Sequence, residues 1–260
     1  MRFTKMEGLG NDYLYVYGTP TDPKALSVRL SNRHFGIGAD GMIWIEPSEI
    51  ADFKMRIFNA DGSEAKMCGN GIRCVGKYVY DKGLTQKTTL TVETLSGIRT
   101  VRLLFEDGAV TGATVDMGSV TMEPERALSL ADGTAIVCPV SVGNPHAVCF
   151  VPDAEAVPLA SFGPAVNACF EGGVNVECVS VTGDNALRMR VYERGSGITM
   201  ACGTGACAAA YAAWQTGRCK SDTPIAVRLD GGTLSIALRE DGHLLMTGPA
   251  NTVFEGKVTL

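Results

Sequence analysis

Apolar residues fall in short alternating or continuous runs along most of the chain. Such runs lie at Phe53–Phe58, Thr88–Thr94, Ile98–Phe105, Ala135–Val142, Val174–Val181, Ala186–Tyr192, Ile225–Leu229 and Thr233–Leu238, and each predicts a strand. Turn dipeptides punctuate them, as at Asp107-Gly108, Asp230-Gly231-Gly232 and Asp241-Gly242. Helical patterning is sparse. It predicts helices over Asp22–Ser31 and Asp153–Phe162, and two more from Cys68 to about Lys82 and from Cys202 to about Thr216. Gly83 and Gly217 stand where those last two helices would stop. Strands outnumber helices and are mostly hairpin-linked, which favours an α+β chain over a doubly wound sheet.

The segments following the two cysteines resemble each other. Cys68-Gly-Asn-Gly and Cys202-Gly-Thr-Gly share a pattern and are 134 residues apart, while the pairs Gly10-Asn11 and Gly143-Asn144 repeat at an offset of 133. Asn59 and Glu193 each lie 9 residues before their cysteine. One offset shared by three landmarks indicates a duplicated unit, with two pseudo-symmetric halves joined near residues 115–120. The halves are expected to face each other, with a ligand between them.

Composition narrows the chemistry. The 260 residues are 45% hydrophobic and 20% charged, as in a globular protein, with a formal net charge of −5. Without a long basic run, neither nucleic acid nor an anionic membrane is an expected partner. Glycine, 31 residues, is enriched without a period, so many tight turns are expected and collagen is excluded. No apolar stretch approaches a membrane span, and the opening residues lack a signal-peptide core, so a cytoplasmic location is expected. The nine cysteines form no Cys-x-x-Cys pair and the three histidines have no ligand spacing. Free thiols and no metal follow, most of the thiols being inert and buried.

A cysteine ahead of a glycine turn and a helix meets free backbone amides and the positive end of the helix dipole. That position is expected to lower the thiol pKa and to bind an anion. Two such units suit the inversion of a carbon acid, with a base on one face, an acid on the other, and helix amides gripping the carboxylate that receives the charge. A cofactor-independent amino-acid racemase or epimerase is the expectation, with Cys68 and Cys202 as the two-base pair. Taken singly, each cysteine could be a small buried residue, each asparagine a turn residue and Arg194 a solvated loop charge.

Longer motifs carry a family resemblance. Asn59-Ala-Asp-Gly-Ser-Glu-Ala-Lys-Met-Cys68-Gly-Asn-Gly-Ile-Arg-Cys, Gly143-Asn-Pro-His146, Glu193-Arg-Gly-Ser-Gly-Ile-Thr-Met-Ala-Cys202-Gly-Thr-Gly-Ala-Cys, Gly8-Leu-Gly-Asn11-Asp and Gly173-Val-Asn175-Val-Glu resemble diaminopimelate epimerase over essentially the whole chain. The resemblance implies interconversion of LL- and meso-diaminopimelate for lysine and peptidoglycan synthesis by a cytoplasmic, cofactor-free homodimer. It implies two β-rich domains, each wrapped around a central helix, over 1–117 with 249–260 and over 118–248. Cys68 and Cys202 match the catalytic pair, and His146 and Glu193 the residues that tune the thiols. Gly69, Asn70, Gly203 and Thr204 match the helix ends that hold the reacting carboxylate. Asn11, Asn59, Asn144, Asn175, Glu193 and Arg194 match substrate-binding positions, and Phe254 an aromatic dimer contact. Arg194 is also a natural fork for a distal carboxylate.

Two positions depart from the family pattern. Gly41 stands where many members carry glutamine, and Ile198 where glutamate is frequent. The Gly36–Gly41 stretch is a literal GxGxxG but opens no helix, so its dinucleotide reading fails. A nucleotide-binding module using Gly203-Thr204-Gly205, and a related enzyme such as proline racemase, are the alternatives. The first leaves the matching turn at Cys68 unexplained, and the second has no need of Glu193-Arg194 and four asparagines.

Overall fold

The computed structural model describes residues 1–19, 21–220 and 222–260. In chain order the elements begin with β1 (Arg2–Gly8), β2 (Asn11–Tyr17), α1 (Pro23–Ser31), β3 (Gly41–Glu46), β4 (Phe53–Asn59), β5 (Glu64–Ala65) and α2 (Gly69–Asp81). There follow β6 (Thr89–Thr94), β7 (Gly97–Glu106), β8 (Ala109–Ser119), β9 (Thr121–Met122), β10 (Arg126–Leu130), β11 (Gly133–Ser141) and β12 (Pro145–Phe150). Next come α3 (Leu159–Asn167), β13 (Asn175–Gly183), β14 (Ala186–Glu193), β15 (Gly197–Thr199) and α4 (Gly203–Gln215). The last strands are β16 (Ile225–Leu229), β17 (Gly232–Leu238), β18 (His243–Pro249) and β19 (Asn251–Lys257). The chain forms two compact units, Met1–Asp116 with Thr247–Leu260, and Met117–Met246.

In the first unit β1 and β2 form a hairpin whose turn residues, Leu9 and Gly10, both lie in the left-handed region, φ 59° and 80°. That turn matches the twist of the strands and brings Asn11 opposite Gly8 at the mouth of the pair. β2 runs parallel to β3 with α1 between them, and β4 runs parallel to β6 with α2 between them. The second unit repeats the scheme. β12 and β13 are parallel across α3, and β14 and β16 across α4. Registers repeat as well. Tyr13 pairs with Gly41 and His146 with Asn175, while Phe53 pairs with Val92 and Ala186 with Ala226. The remaining neighbours are mostly antiparallel, giving the mixed, β-rich α+β architecture that the strand excess implies. β19 pairs with β1 and returns the C-terminal strand to the first unit.

α2 and α4 are the central helices. Each is buried on nearly every face, as a helix must be when strands surround it. In α4 this is achieved by small side chains, Ala206, Cys207, Ala208, Ala209, Ala210, Ala212 and Ala213, none with exposed surface. α1 packs on the cluster of Phe3, Leu14, Val16, Leu30, Met42, Trp44 and Phe58, and α3 on that of Val137, Ala147, Val166, Val174 and Val176. Buried side chains of the larger types contribute about 1.5–3 kcal/mol each.

Two sequence expectations need correction. The second helix, expected over Asp153–Phe162, begins only at Leu159 and runs to Asn167. Pro158 disfavours helical geometry at the residue before it, and the Asp153 carboxylate accepts from the Glu155 amide to make a turn instead. Strands β1, β2, β5, β8, β9, β10, β12, β15 and β18 lie outside the runs that predict strands. Several of them carry polar residues at buried positions, such as Thr4, Asp12, Thr114 and His146, which hide the alternation. No helix among the described residues is long and apolar enough to cross a membrane.

Candidate active site

Each cysteine of the repeat is the N-cap of its central helix. Cys68 and Cys202 have extended backbones, φ −139° and −126°, and their Sγ atoms accept from the amides of Gly71 and Gly205, both at 3.3 Å. A thiol thus takes the place that a serine or aspartate oxygen usually fills. The next amides, of Ile72 and Ala206, bond to the cysteine carbonyls at 3.0 and 2.9 Å. The helices themselves supply no acceptor for the amides of Gly69 and Asn70, or of Gly203 and Thr204. These are the amides available to an anion.

The glycine at the third helical position is required by packing. A Cβ on Gly71 would lie 2.5 Å from Ile43 Cδ1, and one on Gly205 would lie 2.6 Å from Glu177 Oε1. Gly41 has a similar constraint, since a Cβ there would lie 2.2 Å from the Phe58 carbonyl oxygen. The backbone at that position therefore has no space for a glutamine side chain.

In the first unit Cys68 Sγ donates to Asn11 Oδ1 at 3.3 Å, and Asn11 Nδ2 donates to Asp40 Oδ2 at 2.8 Å. Asp40 is in turn held by Arg33 at 2.9 Å. Asn11, Cys68, Gly69 and Asn70 are therefore brought together. Asn59 is engaged elsewhere. Its amide donates to Ser63 Oγ at 3.0 Å inside the turn that follows β4. Arg73, which sequence reasoning did not single out, has no exposed surface. Its guanidinium donates to Pro249 O at 3.0 Å, Gly69 O at 3.1 Å and Asn70 Oδ1 at 3.1 Å, tying the start of α2 to the end of β18.

In the second unit a chain of hydrogen bonds joins Asn144, His146, Glu177, Thr204 and Cys202. His146 Nδ1 bonds Glu177 Oε1 at 2.7 Å and Nε2 bonds Asn144 Oδ1 at 3.0 Å. Asn144 Nδ2 donates to Thr204 Oγ1 at 3.2 Å, and Cys202 Sγ lies 3.5 Å from that hydroxyl. Glu193 accepts from the Thr199 hydroxyl, and its carboxylate acts electrostatically on the Cys202 thiol. Asn175 Oδ1 accepts from the Arg194 amide at 2.9 Å, and the Arg194 side chain donates to the carbonyl oxygens of Gly172 and Gly173 at 3.0 and 3.4 Å. Glu177 is a second residue that sequence reasoning passed over. It is fully buried, and its Oε2 has no hydrogen-bond partner among the described residues. The signal available was its place in the Val-Asn175-Val-Glu motif.

The electrostatics correct one expectation. Burial pushes the Cys202 thiol well above its ordinary value, and the Glu193 and Glu177 carboxylates push it further in the same direction. The Thr204 hydroxyl and the Gly205 amide oppose this without overcoming it. Lost hydration outweighs the helix end, so the lowered value expected from position alone is not found at Cys202. Burial likewise raises the Glu193 carboxyl, with the bond from Thr199 opposing. Cys74 and Cys178 are pushed up to about 12 by burial, in keeping with inert structural thiols. Phe254, on β19, is 43% exposed and meets Phe3 edge-on with ring centroids 5.8 Å apart.

The decoy motifs are resolved by their surroundings. Gly36–Gly41 leads into β3 rather than a helix. Gly203-Thr204-Gly205 opens α4 beside the parallel β14–β16 pair, but its first turn is occupied by a cysteine cap, and the same construction recurs at Cys68.

Comparison with known proteins gives a consistent result. The family model described as diaminopimelate epimerase matches residues 3–123 and 138–253. Diaminopimelate epimerase of Parabacteroides distasonis is 51% identical, with 98% of this chain and 97% of that protein covered. The enzyme of the same name from Methanococcus maripaludis strain C6 is 45% identical over the whole of both chains. Among solved structures, a probable proline racemase from Agrobacterium radiobacter superposes with a TM-score of 0.80 at 18% identity, covering 100% of this chain and 93% of that one. A hydroxyproline epimerase from Agrobacterium vitis gives 0.78 at 18% identity, covering 99% and 90%. Those two show a shared fold. Family membership rests on the full-length sequence matches, and on them this chain is an epimerase that belongs to the diaminopimelate epimerase family.

Proposed function

We propose that the protein interconverts LL- and meso-diaminopimelate without a cofactor, using Cys68 and Cys202 as base and acid on one α-carbon. The observation that carries this reading is the matched pair of cysteine N-caps, one on each central helix. In one direction a thiolate takes the α-proton. The C–H electron pair moves into the adjoining carboxylate, and the opposite thiol delivers its proton to the other face. The roles are exchanged for the reverse reaction. The amides of Gly69, Asn70, Gly203 and Thr204 hold the reacting carboxylate and stabilise its developing charge. Arg194 takes the distal carboxylate, while Asn11, Asn144, Asn175 and Glu193 offer partners to the ammonium and carboxylate groups. His146 and Glu193 set the proton affinity of the thiols.

The protein acts in the cytoplasm, within lysine and peptidoglycan synthesis, as a homodimer. Support for the dimer comes from β19, which pairs with β1 and carries exposed Val253 and Phe254.

The decisive assay incubates purified protein with LL-diaminopimelate in deuterium oxide and reads product stereochemistry and label. Meso product carrying deuterium at the inverted carbon is expected, with Cys68→Ala and Cys202→Ala folded but inactive. Inversion without label, turnover by either variant, or activity on L-proline instead would refute the proposal.

A further inference from the structure

The two half-sites share a backbone plan, and the residues around their thiols differ in charge. Equivalent positions lie 134 residues apart, as Gly71 and Gly205 do. The residue against Gly71 is Ile43, and the one against Gly205 is Glu177, again 134 apart. Ile43 pairs across its parallel ladder with Tyr15, and Glu177 across its own with Val148. The fifth residue after the cysteine is Arg73 in one unit and Cys207 in the other. Beside Cys68 there is thus a fully buried guanidinium and an isoleucine. Beside Cys202 there is a fully buried carboxylate, and the arginine's counterpart is a buried cysteine.

The fully buried charged groups beside each sulfur differ in the same way. Around Cys68 stand Arg73, Tyr15 and Cys74, with Glu7 acting on Arg73 and Cys74 from β1, and with Asp40, part-exposed and paired with Arg33, reaching the sulfur only through Asn11. Burial pushes Tyr15 well up and Cys74 up to about 12, which leaves both neutral and Arg73 as the fully buried charge beside the sulfur. Burial also lowers Arg73, but a guanidinium is not deprotonated in proteins. Around Cys202 stand Glu177 on β13, Glu193 on β14 and His146 on β12. A Glu177 carboxylate oxygen, a His146 ring nitrogen and Cys202 Sγ all lie within 4.8 Å of one another, buried. Two carboxylates against one imidazole leave this pocket no net positive charge in any state of the ring in which both are ionised.

We propose that Glu177 and Arg73 are positioning residues of opposite sign, which fix Cys68 as the sulfur that rests as thiolate and Cys202 as the one that rests as thiol. The free enzyme is then charged for one direction. An isomer whose α-hydrogen meets Cys68 finds a base ready, with an acid at Cys202 to complete the exchange. After that turnover the proton sits on Cys68, and it must leave for solvent while Cys202 regains one before the same isomer is taken again. The reverse substrate needs the opposite redistribution before it can react. The duplication supplies two similar cradles, and the Ile43/Glu177 and Arg73/Cys207 differences make them unequal.

The proposal rests on the two-thiol reading, but its test reads protonation directly and does not depend on turnover. Full-length protein is alkylated with iodoacetamide at a series of pH values, and labelling of each cysteine is quantified by peptide mass spectrometry. The midpoint of each profile reports thiolate formation whatever the access to the sulfur. A Cys68 midpoint below that of Cys202 is expected. In Glu177→Gln the Cys202 midpoint should fall by about one unit or more, giving about tenfold more labelling below the midpoint, with the Cys68 profile unmoved. Coincident or reversed wild-type midpoints overturn the proposal. So does a folded Glu177→Gln whose Cys202 profile is unchanged, as a purely structural role would leave it. If that variant does not fold, the two wild-type profiles still decide. Separated midpoints in a protein that does not invert diaminopimelate would sink the two-thiol reading and leave this one standing.

Discussion

Gly205→Ala places a single methyl group where the site has no space. The added Cβ would lie 2.6 Å from Glu177 Oε1 and 3.2 Å from Cys202 Sγ. Neither neighbour is free to move, since Glu177 is held by His146 at 2.7 Å and the Cys202 sulfur by the Gly205 amide at 3.3 Å. Overpacking of a filled interior costs about 1–3 kcal/mol. Alanine recovers up to about 1 kcal/mol of helix propensity over glycine. The clash wins, leaving a net destabilisation of about 1–2 kcal/mol. For a chain of this size that corresponds to a melting temperature lower by roughly 2–8 °C. Activity should suffer more than stability. Displacing a reacting group by a fraction of an ångström to 1 Å can cost about 100-fold, so kcat should fall by that order. Calorimetry and an epimerase assay on the same preparation check both numbers. A Gly205→Ala protein with wild-type melting temperature and kcat would show that Glu177 does not stand against the helix start, and the packing argument would fail.

Three other outcomes are expected. Stability should fall as pH rises above about 9. Cys74 and Cys178, pushed up to about 12 in the fold, keep protons that the unfolded chain releases. Their stabilisation is complete below the unfolded thiol value and is lost toward 12, at about 3 kcal/mol per pH unit for the pair, readable as a falling urea midpoint. Arg194→Ala should raise KM for diaminopimelate at least tenfold with a smaller change in kcat, and an unaltered KM would remove Arg194 from the distal-carboxylate role. Gly83→Ala should cost about 1–2 kcal/mol by thermal melting without affecting turnover, because Gly83 ends α2 at φ +66° with open space around it.

Much of the site was legible along the chain because its chemistry is local. A cysteine followed by Gly-x-Gly and a helical run predicts an N-cap with exposed amides, and both instances form as expected. The duplication was legible for the same reason, since an offset shared by landmarks survives without any knowledge of the sheet. Glu177 and Arg73 were not legible. A glutamate inside a β-pattern and an arginine inside a helix read as surface residues, and burial is decided by what surrounds an element. Asn59 shows the converse, a motif residue whose side chain the fold engages within its own turn.

The sequence by itself determined the β-rich class, the two cysteine-capped helices and the doubled plan, since each follows from short-range pattern and backbone preference. The tertiary structure alone decided which strands run parallel, that α2 and α4 are buried on nearly all sides, and that the environments of the two thiols differ in charge. Strand partners and burial depend on contacts between residues far apart in the chain. The desolvation that raises Cys202 exists only once those contacts have removed water from it.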